Sequence, residues 1–97
     1  MISVIITAYK EDKTIGKAIE AFAKQPQEKE ILVAAPDEAT IKVINEKAKK
    51  YPFVKHVQDP GKGKPVALNI CFKIAKGDQI VMSDGDVYVS DNAIEEL

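Results

Sequence analysis

The chain has 97 residues, 45% hydrophobic and 30% charged, a near-average globular balance that excludes a disordered or fibrous segment and leaves room for one domain, residues 1–97, around one core. Its net charge of −1, from 14 basic against 15 acidic side chains, supplies no general field for nucleic acid or an anionic membrane, so any anion site has to be local. The single cysteine, Cys71, rules out an internal disulfide and a cysteine zinc cluster; with no signal-peptide pattern at the start and no run near the roughly 20 apolar residues of a membrane span, a cytoplasmic location is expected.

Short β-branched runs alternate with longer segments of helical period, the pattern of a parallel sheet covered by helices. "ISVIIT", residues 2–7, is almost continuously apolar and reads as a central strand buried on both faces. In "EDKTIGKAIEAFAK", Ile15, Ala18, Ile19 and Phe22 form one apolar stripe, with Asp12 as the expected N-cap and Pro26 as the stop. "EILVAA" is the second strand. "PDEATIKVINEKAKK" is the second helix, capped by Asp37, with Ile41, Ile44 and Ala48 inward and lysines at the C-terminal end that tolerates them. The shorter, more polar "FVKHVQ" belongs at the sheet edge. After "DPGKGKP" a third helix carries Ala67, Ile70, Cys71 and Ile74 at the same spacing, and Gly77 is expected as its C-cap glycine. "QIVMSD" is the fourth strand, and "SDNAIEEL" begins another helix at Ser90 or Asp91.

Right-handed crossovers step the first three strands outward in one direction. A fourth strand returning to the other side of the first makes the order 3-2-1-4, a three-layer, Rossmann-like open α/β sheet with a switch point between its first and fourth strands. Ligands of such sheets bind outside the carboxyl ends of strands at that point, where "TAYKE" and "DGD" would face each other. Asp84 and Asp86 lie on one side of an extended chain. Two such carboxylates repel unless a cation joins them, and oxygen ligands suit Mg²⁺ or Mn²⁺; the plain alternative is an Asp- and Gly-rich turn that merely ends a strand.

"GKGKP", residues 61–65, is not a Walker A loop, because Pro65 stands where Ser or Thr is needed. Its glycines nevertheless lead into a helix N-terminus where Lys62 and Lys64 can neutralise phosphate; otherwise it is a turn with solvated lysines and a proline at the first helical position. A dinucleotide-binding GxGxxG is absent after the first strand. His56 reads as a strand-surface residue and Cys71 as a small core residue.

"SVIITAYKEDKTIGKAIEAF" followed by "GKGKPVALNICFKIAKGDQIVMSDGDVYVS" resembles the N-terminal half of a family 2 glycosyltransferase of the GT-A fold. Thr7, Ala8, Tyr9, Lys10 and Glu11 occupy the places of that family's Pro-Ala-Tyr-Asn-Glu. The resemblance implies that Ala8, Tyr9 and Glu11 line the nucleoside pocket of a nucleotide-diphosphate sugar, and Lys64 is assigned to the same donor site. It also places the family's DxD on Asp84 and Asp86. Asp86 would bind the divalent metal bridging the donor diphosphate, and Asp84 the ribose or the metal. Two departures bear on the site: Thr7 and Lys10 replace proline and asparagine, and the aspartate pair that follows the second strand in many members is replaced by Ala35 and Pro36. Asp37, one position later, is expected to cap the second helix rather than to read the base.

In that family the acceptor site and the catalytic base lie beyond the DxD. The chain is therefore expected to be a truncated donor-binding half, cut within the helix starting near residue 91, without transfer activity of its own. The outer edge of its fourth strand would then be open, and pairing with a second copy is the expected remedy. Three alternatives are a haloacid-dehalogenase-type phosphatase, whose DxD should open the domain rather than nearly close it, a sugar nucleotidyltransferase, whose Gly-rich signature is missing after the first strand, and a non-catalytic nucleotide-binding or self-associating module.

Overall fold

The structure, a computed structural model, describes residues 1–84. Gly85, Asp86 and the helix expected from Ser90 or Asp91 lie outside the described residues. Seven elements follow in order: β1 (Ile2–Thr7), α1 (Ile15–Ala23), β2 (Lys29–Ala35), α2 (Glu38–Lys50), β3 (Val54–Gln58), α3 (Lys64–Ile74) and β4 (Gln79–Asp84). The strands form one sheet in the order β3-β2-β1-β4, and each neighbouring pair is parallel, as the sequence pattern predicts.

Each face of this sheet has its own core. On one, Val4 and Ile6 of β1 with Ile31 and Val33 of β2 meet Ile15, Ile19 and Phe22 of α1 and Ile44 of α2. On the other, Ile5, Leu32, Ala34 and Val57 meet Ala67 and Cys71 of α3. β1 and β2 are buried on both sides because alternate residues serve alternate cores, which is why their sequences show almost no polar alternation. Each fully buried isoleucine contributes about 1.5–3 kcal/mol of transfer free energy. β3 buries Val54 toward one core and Val57 toward the other and leaves Lys55 and Gln58 exposed, as suits an edge strand.

Several local expectations need correction. The first helix begins at Ile15, not after Asp12. The Glu11 carbonyl accepts from both Thr14 N and Ile15 N, and this tight turn postpones the helix; Thr14 precedes it without a side-chain cap bond. Its end agrees with expectation: the last helical residue is Ala23, Lys24 is the C-cap, and Pro26 stands two residues beyond as the stop. β2 starts one residue early, at Lys29, whose buried ammonium donates to the carbonyls of Gln25 (2.6 Å) and Gln27 (3.1 Å). In α3 the buried row is Ala67 and Cys71, continued by Ala75, and Ile74 is left exposed at the helix end. Pro65 is the second residue of that helix, since Lys64 is its first.

Gly77 is not a C-cap: Ala75 caps α3 in an extended conformation. A Cβ at Gly77 would meet Ser3 N and Ser3 Oγ at 2.6 Å, so the glycine serves a close backbone approach. That approach closes a clasp at the amino end of the sheet. Ser3 Oγ accepts from Gly77 N (2.7 Å) and donates to Glu30 Oε2 (2.7 Å), which also accepts from Lys76 N. Burial pushes the Glu30 carboxyl up, but these hydrogen bonds and the charges of Lys55 and Lys76 prevail and hold it below the usual carboxylate range.

Candidate functional site

Because every strand is parallel, the loops that follow β1 and β3 and the end of β4 all emerge at the carboxyl edge of the sheet, opposite the clasp. The reversal of strand order falls between β1 and β4, and there the register sets Thr7 directly beside Asp84. The carboxyl end of β4 thus adjoins the segment Ala8–Glu11. Ala8 is buried and its N–H donates to Ala34 O (2.9 Å), extending the β1–β2 ladder by one bond. Tyr9 then turns outward, 61% exposed, with the Lys10 ammonium 5.2 Å from its ring centre.

Lys10 has φ 55°, the left-handed region that most side chains avoid and that asparagine tolerates. Its N–H donates to Asp37 Oδ1 (2.9 Å). Asp37 Oδ2 accepts from Thr40 N (3.2 Å) and Thr40 Oγ1 (2.7 Å), which makes Asp37 the N-cap of α2 as expected. The buried Thr40 hydroxyl in turn accepts from Glu11 N (3.0 Å). Burial pushes the Asp37 carboxyl up, yet the donors from Lys10 and Thr40 outweigh it and hold it below its ordinary value. Glu11 is half-buried and its Oε2 accepts from Thr14 Oγ1 (2.8 Å). Thr40 is the residue that sequence reasoning missed. The available signal was an Asp-x-x-Thr spacing at a helix start, a relative of the capping box with a hydroxyl at its third position.

Lys64 is exposed at the first turn of α3, after Gly61 at φ 76° and Gly63 at φ 108°. These positive φ values explain why glycines occupy the loop. Asp84 is placed by its backbone as the last residue of β4, and Asp86 lies outside the described residues. His56 is a strand residue whose Nε2 lies 3.1 Å from Ala35 O. Burial pushes the Cys71 thiol up to about 11, so it stays protonated and inert in the core. Ala8, Tyr9, Glu11 and Asp84 are brought to one edge around the switch point, and Lys64 starts a helix at that same edge.

Residues 3–97 match the family model of glycosyl transferase family 2. The chain belongs to this family. A poly(ribitol-phosphate) beta-glucosyltransferase of Bacillus spizizenii is 29% identical to this family 2 chain over 102 residues, which cover 96% of the chain and 16% of that protein. Among solved structures, S. aureus TarS residues 1–349 align over 98% of the chain and 30% of their own length, at TM-score 0.83 and 24% identity. A mannosyltransferase of Pyrobaculum calidifontis, solved in complex with GDP-Man and Mn²⁺, aligns over 96% and 30%, at TM-score 0.85 and 22% identity. The two structural likenesses establish the GT-A, Rossmann-like fold. This family 2 chain spans less than a third of the length of each of these relatives. No helix among the described residues is long and apolar enough to cross a membrane.

Proposed function

We propose that the chain is the donor-binding part of a sugar transferase and holds a nucleotide-diphosphate sugar at the carboxyl edge between β1 and β4. The observation that carries this reading is the register of Thr7 beside Asp84, which puts the end of β4 against the ordered Ala8–Glu11 loop at the switch point. Ala8, Tyr9 and Glu11 line the nucleoside side, Asp84 contacts the ribose or the metal, and Lys64 offers its charge to the phosphates at the start of α3. Family membership favours sugar transfer over the phosphatase and nucleotidyltransferase alternatives.

A divalent cation fits the donor set in kind: Asp84 and Asp86 are hard oxygen ligands, suited to Mg²⁺ or Mn²⁺. Among the described residues no group of three His, Cys, Asp or Glu side chains is placed to hold a metal. Asp84 and Asp86 would hold such an ion, with the rest of its oxygen ligands coming from outside the protein. When bound it neutralises the departing nucleoside diphosphate. The protein's own part is to hold the nucleoside on a fixed loop and to keep the phosphates at the strand ends.

Calorimetric titration with UDP-glucose and GDP-mannose, with and without Mn²⁺, tests this reading. Binding of at least one donor is expected to strengthen about tenfold or more with Mn²⁺ and to lose that gain in Asp86→Ala. No binding of either donor, or binding indifferent to metal and to Asp86, would leave a non-catalytic module as the better account. The same reading includes self-association through the outer edge of β4, which has no neighbouring strand among the described residues; Ile80 and Met82, on one face of that strand, are exposed beside it. Sedimentation should show a dimer at high concentration; a strict monomer there contradicts it.

A further inference from the structure

We propose that Asp37 and Thr40 are positioning residues that set the nucleoside loop, and that Asp37 does so by holding Lys10 in its left-handed turn. The proposal rests on the donor-binding reading above for its functional consequence, but the latch itself is a property of the loop. Both Asp37 oxygens are taken by protein donors: Oδ1 by Lys10 N at 2.9 Å, Oδ2 by Thr40 N and Thr40 Oγ1. A carboxylate so occupied has little left with which to read a base edge. Thr40 Oγ1 passes the constraint on, donating to Asp37 while accepting from Glu11 N at 3.0 Å.

Two successive loop amides, those of Lys10 and Glu11, are thereby fixed to the first turn of α2. A lysine at φ 55° is disfavoured on its own and persists when its surroundings over-determine it. Tyr9, the residue before this turn, stands 61% exposed at the end of β1. A platform held in this way loses less conformational entropy when a ligand settles on it. The latch thus contributes affinity through loop order, without touching the ligand.

The test uses UDP and GDP, each with Mn²⁺, as probes of the full chain. Asp37→Ala should weaken binding about tenfold, and by the same factor for every nucleotide that binds, because the effect passes through the loop and not through a base. Asparagine tolerates the left-handed turn unaided, so in a Lys10→Asn background the same Asp37→Ala change should weaken binding only about twofold to threefold. Thr40→Ser should retain affinity while Thr40→Val loses it, with circular dichroism confirming that each variant is folded. Amide hydrogen exchange at Lys10 and Glu11 should quicken in Asp37→Ala, with β1 amides unchanged. An equal loss in both backgrounds, a loss confined to one of two binding bases, or unchanged exchange at Lys10 and Glu11 would overturn the proposal. If neither nucleotide binds the unaltered chain, the donor-binding reading fails, and exchange alone decides the latch.

Discussion

Lys10 and Gly77 mark the two places where a single side chain is at odds with, or required by, the backbone. Lys10 sits at φ 55°, where a β-carbon crowds the following carbonyl and asparagine is better tolerated. Lys10→Asn is therefore expected to stabilise the fold by about 0.5–1 kcal/mol, part of the cost of this region that asparagine avoids, seen as a rise of several degrees in thermal midpoint; an unchanged or lowered midpoint contradicts the strain argument. At Gly77 the added methyl of alanine would lie 2.6 Å from Ser3 N, a backbone atom that cannot swing away. Gly77→Ala should cost about 1–3 kcal/mol in urea denaturation, because β4 must shift or the Ser3–Glu30 clasp must open. A neutral outcome would mean that the clasp gives way at no cost.

Between elements, one carboxylate gathers the polar contacts that join α1 to the end of α2, beside the apolar packing of Ile15, Ile19 and Phe22 with Ile44. Glu20 Oε1 accepts from Lys50 Nζ (2.9 Å) and Tyr51 Oη (3.2 Å), while its Oε2 lies 3.5 Å from Lys47 Nζ. The bond from Lys50 comes first among the causes that bring the Glu20 carboxyl down from 4.5 to about 2, against a smaller opposing push from burial. A folded-state value below the unfolded one means that the contribution is complete above about pH 4.5 and is lost as pH falls from there through about 2. Glu20→Gln should flatten the stability-against-pH curve in that window, while Glu30 and Asp37, also held low, keep some slope there; an unchanged slope contradicts it. The elements themselves were legible in advance. Ile15, Ala18, Ile19 and Phe22 carry a period that only a helix satisfies, and the unbroken apolar runs of β1 and β2 are what a strand between two cores demands. Element ends were less so: the start of α1 depends on the Glu11 turn, and Gly77's role depends on a backbone 74 residues away in sequence.

At the level of the molecule, sheet order explains how the candidate site is assembled. The crossover from β3 back past β1 puts β4 beside the strand that carries the Tyr9 loop, and helical cover on both faces leaves the carboxyl edge as the place where loops gather. That placement followed in the sequence from right-handed crossovers once the fourth strand was taken to return beside the first, whereas the Asp37–Thr40 latch could not be read there, since it joins segments 27 and 29 residues apart through hydroxyl and amide geometry. Metal-assisted donor binding at the carboxyl edge can be located with Mn²⁺ itself, through paramagnetic broadening of nearby amide NMR signals. With a saturating nucleoside diphosphate, added Mn²⁺ should broaden the amides of Thr7–Glu11 and of the carboxyl end of β4 while those of Gly77 and Asp78 at the opposite end stay sharp. Broadening centred on the Gly77 end, or none that depends on nucleotide, would contradict the account.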